Sequence, residues 1–487
     1  MSSSASDAKL PPFQLLEEPV LSFSPDDEQA RDLHPLRGLA RFGPFSKKSF
    51  SAYTPSLRIA VVGPKAGWKQ IVGLMQLVQR PHPPSDRRDY VPPYPGFEKL
   101  FGIPIHAAPK SARILWPDSI DELPFKGSPE QRLAASFKDA LSRLELVRAE
   151  FDVVVVHLPD VWGHALKTEA FDAHDELKAI GAGVGIPTQV LNDRAFSFSM
   201  TSAASIAWRL AIAFYVKAGG IPWKLAPVKG VPDGTAYIGL AYALRKQSES
   251  VHYVTCCSQV FDMDGGGMQF VAFEAQDPIS NIREAKKNPF LSRADMRAVL
   301  ARSIQIYQAR NGGVLPRRLV VYKTTAFRED EIQGASDALA GIPEFECIEV
   351  GSNTTWRGIW MVANTDPKAT KPTTPDGFPV PRGIVQMRSE TSCFVWVAGN
   401  APGASTKGAY YQGGKSIPRP LVVKRHAGAG PLDLIALETL ALTKMDWNND
   451  ALYDPVPVTI KYSQRLARTI ANVPNLPGKM YPYRLFM

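Results

Sequence analysis

The 487-residue sequence is poor in cysteine, with only Cys256, Cys257, Cys347 and Cys393. None forms a CxxC pair, which excludes a disulfide scaffold or a zinc ribbon and fits a reducing compartment. No uninterrupted apolar run reaches the roughly 18 residues of a membrane span. The opening MSSSASDAKLPPF also lacks a basic start followed by an apolar run, so no signal peptide is expected and the cytoplasm is the expected location. The eight histidines are scattered, with no HExxH and no metal-spaced His/Cys set, and GxSxG is missing too. Zinc hydrolase and serine hydrolase readings therefore have no motif to stand on. No internal repeat is visible.

What is present is the composition of a folded protein, 45% hydrophobic and 21% charged, long enough for two compact domains. Lysine and arginine number 56 against 47 acidic residues, a formal net charge of +9, which favours a polyanionic partner without identifying it.

Residues 1–55 form a polar start followed by Asp32-Leu-His-Pro-Leu-Arg-Gly-Leu-Ala-Arg-Phe-Gly-Pro-Phe45. Its prolines and glycines rule out a long helix and predict an extended arm or linker lying on something larger. From Leu57, RIAVVGP reads as a buried strand, followed by a helix near 68–79, a proline-dense loop, the strand ARILWP and a helix near 128–150. FDVVVVHLP reads as a central strand buried on both faces. A helix near 172–180, the strand IPTQVLN and a helix near 202–218 stopping at Gly219-Gly220 complete an α/β domain with a mostly parallel sheet over 56–225.

Residues 226–487 have a different rhythm. TAYIGLAYAL, VHYVTCCSQVF and MQFVAFEA predict three successive antiparallel strands. Helices near 294–310 and 330–339 then alternate with the strands RRLVVYKT and FECIEVG, and two helical stretches lie near the end. This is the order of a ribonuclease-H-like domain with a mixed sheet.

Gly408-Ala-Tyr-Tyr-Gln-Gly413-Gly414-Lys415-Ser416 has one residue too many for a phosphate loop and runs into a strand rather than a helix. It reads as a surface turn, or as a loop whose Lys415 and Arg419 touch a nucleic-acid backbone. Asp262-Met-Asp264-Gly-Gly-Gly resembles the start of a calcium loop without the remainder, and reads as a hairpin turn. His174 and Lys178, four apart on a predicted helix, project from one face, while Gln189 sits just inside the next strand and Lys217 in the last turn of the helix ending at Gly219. Such donors can converge on a phosphate. An exposed His/Lys face and a lysine answering a helix dipole would account for the same four residues.

Together, His174-x3-Lys178, Gly185-Ile-Pro-Thr-Gln189 and Lys217-Ala-Gly-Gly-Ile-Pro-Trp223 resemble the guide 5′-phosphate pocket of the MID domain of prokaryotic Argonautes. Tyr237-Ile-Gly-Leu-Ala241, Asp446-Trp-Asn-Asn-Asp450 and Pro457-Val-Thr-Ile-Lys-Tyr-Ser-Gln464-Arg-Leu-Ala resemble a PIWI domain. His34-Pro-Leu-Arg-Gly-Leu and Phe42-Gly-Pro-Phe resemble the segment before MID. About 55 residues ahead of MID leave no room for N-terminal and PAZ domains, so the resemblance is to a short Argonaute of MID and PIWI alone.

The resemblance implies that His174, Lys178, Gln189 and Lys217 hold a guide 5′-phosphate. It also implies a magnesium ion beside that phosphate, held by Gln189 and the C-terminal carboxylate of Met487. At the positions of the PIWI carboxylates it places Ala241, Thr324 and, near the last, Gln464, so no two-metal cage is expected and the chain is not expected to cleave. Short members pair with an APAZ-domain partner carrying the effector, a TIR or sirtuin-like NAD hydrolase or a nuclease. The expected function is therefore recognition of single-stranded DNA by a guide RNA, activating that effector against plasmid or phage. Two other readings stand beside it: a self-sufficient guide-dependent nuclease, and a generic basic nucleic-acid-binding protein whose affinity follows salt alone.

Overall fold

The structure, a computed structural model, describes residues 12–84, 90–169, 171–197, 202–246, 252–275, 290–405, 408–411, 417–448, 451–473 and 480–487. Two large sheets organise it. The first is a parallel five-stranded sheet in the order Ile105–Ala107, Leu57–Pro64, Val153–His157, Thr188–Leu191, with Arg113–Trp116 pairing the far half of Leu57–Pro64.

The valine run explains why this sheet needs helices on both faces. Successive side chains of a strand point to opposite sides, and Val153 through Val156 are all fully buried. Val153 and Val155 pack in one core with Leu74, Val78, Ala207 and Ala211, from the helices Trp68–Gln79 and Ala203–Lys217. Val154 and Val156 pack in another with Leu133, Phe137, Leu141 and Leu177, from the helices Pro129–Glu145 and Ala173–Gly183. The result is the doubly covered α/β layer expected from the sequence.

The second sheet has ten strands. At its centre Thr235–Lys246, Arg318–Lys323 and Glu344–Gly351 run parallel. The meander continues antiparallel through His252–Asp262 and Gly267–Glu274 to Met480–Pro482. The Asp262–Gly266 stretch is the hairpin turn read from the sequence, closed by Asp262 N–H to the Gly266 carbonyl at 3.1 Å and Gly265 N–H to the Asp262 carbonyl at 2.9 Å. On the other side lie Leu421–Ala427, Ser392–Val395, Ile384–Ser389 and, at the edge, Phe13–Leu15, all antiparallel. Ile238, Leu240, Leu319 and Val321 face the helices Arg293–Arg310 and Glu329–Ala338. Tyr237, Val320 and Tyr322 face the core that contains the helices Leu432–Leu442 and Val458–Asn472.

One contact fixes how close the last helix comes. A Cβ placed on Gly239 would lie 1.9 Å from the Thr459 carbonyl oxygen. Only glycine lets the Val458–Asn472 helix rest on the Thr235–Lys246 strand, where Ser463 Oγ donates to the Gly239 carbonyl at 2.8 Å.

The amino-terminal region differs from the expected extended arm. Pro35–Phe42 and Lys47–Tyr53 are short helices. His34 Nδ1 accepts from the Leu36 and Arg37 N–H groups, Pro35 occupies the first turn, and Gly43 ends the helix at φ +79°. Proline at the start and glycine just past the end therefore frame a two-turn helix rather than prevent one. This region also ties the sheets together: Leu21–Ser22 pairs with Lys224–Leu225, and buried Lys444 donates to the carbonyls of Pro19 at 2.6 Å and Leu33 at 2.7 Å. No helix among the described residues is long and apolar enough to cross a membrane.

Candidate nucleic-acid interface

The four residues singled out in the first domain come from three successive elements of the parallel sheet layer. Asp172 caps the Ala173–Gly183 helix, its Oδ1 accepting from the His174 and Asp175 N–H groups at 3.1 and 3.2 Å. One turn apart on that helix, His174 is exposed while Lys178 is buried. Gln189 lies in the Thr188–Leu191 strand. Lys217 is the last residue of the Ala203–Lys217 helix, whose chain then reverses through Gly219 at φ +108°.

Two ammonium groups converge here. Lys178 Nζ donates to the Thr188 carbonyl and to the main-chain oxygen of Met487, both at 2.6 Å. Lys217 Nζ donates to the same Met487 oxygen at 2.8 Å and to Gln189 Oε1 at 2.9 Å. Burial, reinforced by each other's charge and that of Arg465, holds the Lys178 amine well below its ordinary range. Burial and Arg465 bring Lys217 down to about 7. Burial thus disfavours the charged form of both amines, and an anion beside them would favour it.

The space in front of them is a cavity of about 590 Å³ lined by Lys178, Gln189, Met487 and His174 together with residues from both sheet systems. Lys178, Gln189, Lys217 and Met487 are thus brought into direct contact, with His174 at the rim. Sequence reasoning missed the remaining basic wall: Arg194, Arg209, Arg465 and Arg468, joined by Asn448. Arg465 Nη1 is buried without a hydrogen-bond partner among the described residues, a donor facing a ligand's place. The signal was available in part, because Arg465 and Arg468 stand three apart on one helix and so share a face.

The same helix is fastened to the first domain beside the cavity. Asp175, buried at the joint, accepts from Thr469 Oγ1 at 3.1 Å and Asn472 Nδ2 at 2.6 Å. Burial pushes its carboxyl up, but the bonds from His174, Asn472 and Thr469 outweigh that and hold it below its ordinary value. Asp172, His174 and Asp175 lie close enough to share an ion, yet both carboxylates already serve as helix cap and interdomain tie. They border a larger cavity of about 750 Å³ that shares His174 and Arg468 with the first.

The positions compared with the PIWI carboxylates lie elsewhere. Gly239 and Tyr322 are paired across the parallel strands, and Ala241 and Thr324 each stand two residues further along. Ala241 is buried and Thr324 half-buried. Gln464 is exposed on the Val458–Asn472 helix, next to Ser463. The carboxylate that does approach this corner, Glu331, is buried and committed: it accepts from Lys323 Nζ at 2.8 Å, Tyr242 Oη at 2.8 Å and the Arg328 N–H at 3.0 Å. Its neighbours Glu329 and Asp330 are exposed in the first turn of their helix. Lys415 lies outside the described residues, and Arg419 is exposed.

No family model matches the sequence. A curated relative, protein argonaute of Cereibacter sphaeroides, is 22% identical over 460 residues, covering 91% of this chain and 54% of the relative. Among solved structures, Clostridium butyricum Argonaute bound to a guide DNA and a 19-mer target DNA superposes with a TM-score of 0.64 at 16% identity, covering 98% of this chain and 55% of that one. Aa-Ago with externally bound siRNA gives 0.58 at 15% identity, covering 99% and 56%, and A. aeolicus Argonaute gives 0.58 at 15%, covering 97% and 55%. The chain spans about half the length of the relatives it matches. With its parallel sheet followed by a mixed sheet, it has the fold of the MID and PIWI parts of Argonautes and is similar to an Argonaute in sequence over most of its length.

Proposed function

We propose that this chain is a guide-binding Argonaute of the short MID–PIWI type that holds the 5′-phosphate of a guide strand and recognises complementary nucleic acid without cutting it. The observation that carries the reading is the convergence of Lys178 and Lys217 on one oxygen of Met487, beside a cavity that Met487 lines together with Arg465, whose Nη1 has no partner among the described residues. A terminal phosphate offers these groups further negative charge and acceptor lone pairs, whereas a neutral strand end does not. His174, at the cavity rim, can stack on or donate to the first base.

Magnesium fits the donor set in kind, since Gln189 Oε1 and the Met487 main-chain oxygen accept from the same ammonium and so lie close together. These two residues would hold the ion, which would supply further neutralisation of the phosphate. Lys178, Lys217 and Arg465 bind and orient the phosphate in any case.

The expected lack of cleavage rests on Ala241, Thr324 and Gln464, which supply no carboxylate to hold a pair of metal ions. The guide would be RNA, the target single-stranded DNA, and the output would pass to an APAZ-domain partner in a heterodimer. That partner's TIR, sirtuin-like or nuclease effector would act in defence against plasmid or phage. To test this, the chain is purified from its host with its neighbouring gene product and the bound nucleic acid is sequenced with and without removal of 5′-phosphates. Short 5′-phosphorylated RNAs are expected. Random lengths, or no nucleic acid, would leave only a generic basic binder.

A further inference from the structure

A second basic cavity, of about 230 Å³, lies where the turn at Gly219, the Asp262–Gly267 hairpin and the Pro482–Arg484 segment meet. It shares no lining residue with the 590 Å³ cavity. The two are connected through the chain end, with Pro482 to Arg484 facing one and Phe486 and Met487 facing the other.

Two of its donors have no acceptor among the described residues. Trp447, 3% exposed, lines the cavity, and its indole Nε1 has no hydrogen-bond partner among the described residues. Arg484 Nε is likewise buried and unpartnered. A buried donor without an acceptor is unfavourable, so two at one cavity are a standing demand for one. Arg310, exposed at the end of the Arg293–Arg310 helix, adds a third cationic or N–H donor wall.

The acids around the cavity do not supply that acceptor. Asp264 is taken by Lys224 Nζ and by the Gly266 N–H at 2.9 Å. Asp262 is only loosely contacted by Asn311 Nδ2 at 3.5 Å, and burial together with Asp264 pushes its carboxyl up, toward the neutral form. The backbone makes room. A Cβ on residue 219 would lie 2.8 Å from Arg484 Nη1, and one on residue 267 would lie 2.8 Å from Gln259 Nε2. Glycine at 219 thus lets the guanidinium lie over the turn.

We infer that this cavity is a second phosphoryl-binding site, in which Trp447 Nε1, Arg484 and Arg310 receive the oxygens of a phosphate ester. Guanidinium groups match phosphate by paired N–H donors, and the indole adds a directed one. The volume suits a phosphate and its attached sugar and excludes a duplex. The ester comes either from a free mononucleotide or from an internal linkage of a bound strand.

The test weakens the first site by working in the Lys217→Ala protein and titrating AMP, followed by intrinsic tryptophan fluorescence and calorimetry. Saturable binding is expected, weakened about tenfold or more by adding Trp447→Phe, which deletes the N–H donor while keeping an aromatic ring. Arg310→Ala, at an exposed position, should weaken it similarly and guards against a folding defect in the tryptophan variant. Displacement of AMP by a 5′-hydroxyl oligonucleotide assigns the site to a strand's backbone, and persistence of AMP assigns it to a free nucleotide. Absence of saturable binding in the Lys217→Ala protein, or binding indifferent to both added substitutions, overturns the inference. Loss of 5′-phosphate preference in the wild-type chain would instead count against the first cavity and leave this one standing.

Discussion

Lys178 and Lys217, from two different helices, donate to one and the same main-chain oxygen, that of Met487, at 2.6 and 2.8 Å. Burial disfavours the charged form of both amines, so a further anion placed beside them and the Met487 terminus would be favoured. This pairing is the feature on which the proposed reading of a 5′-phosphate rests.

Replacing Lys217 with alanine is expected to lower affinity for a 5′-phosphorylated guide by about tenfold or more while leaving a 5′-hydroxyl guide nearly unaffected. Paired titrations of the two oligonucleotides at one salt concentration measure the ratio. A change that affects both equally would point to backbone electrostatics instead.

The depressed Lys217 amine gives this preference a pH dependence. In the empty pocket the group loses its proton near pH 7, whereas a bound phosphate favours the charged form and raises that value. Affinity should therefore be full below pH 7 and fall by up to about tenfold per pH unit above it, until the bound-state value is passed. Phosphate itself completes its second ionisation near pH 6, so it gains rather than loses charge as this happens. Lys217→Arg should flatten the profile between pH 7 and 9.

The same group costs stability in the empty chain. Its folded value lies below the ordinary lysine value of 10.5, so the unfolded state binds more protons between the two and stability from this group rises with pH across about 7 to 10.5. Lys217→Met should raise the Tm of guide-free protein at pH 6.5 and lose that advantage when a phosphorylated guide is added. Differential scanning fluorimetry with and without guide checks both signs.

Much of this was legible in the sequence because its signals were local. Four consecutive valines can only be a strand covered twice, and the spacing of His174 and Lys178 holds on any helix. What was not legible depended on contacts distant in sequence. His34 turned a proline- and glycine-marked segment into a capped helix by folding back on its own backbone. Arg465 and Arg468 reached the pocket because Asp175 holds their helix against the first domain, nearly 300 residues away in sequence. Glu331, read as one of a run of helix-opening acids, is instead the buried partner of Lys323. No periodicity announces such pairs, since each needs two elements to be docked before it exists.

The docking of that helix is itself testable at Gly239. A methyl group there would meet the Thr459 carbonyl oxygen at 1.9 Å, a backbone atom that cannot rotate away, so the Val458–Asn472 helix must lift off the sheet or the strand must bend. Either movement stretches the Ser463 bond to the Gly239 carbonyl and shifts Arg465, Arg468, Thr469 and Asn472 relative to the first domain. Gly239→Ala is therefore expected to destabilise the protein by roughly 2–4 kcal/mol, in the range of overpacked core sites. In whatever fraction folds it should weaken 5′-phosphate preference although residue 239 touches no part of the pocket. Denaturant unfolding gives the first quantity and the paired guide titration the second. A variant that unfolds earlier but keeps full preference would show that the arginine wall is positioned by the Asp175 contacts alone, independently of the sheet beneath it.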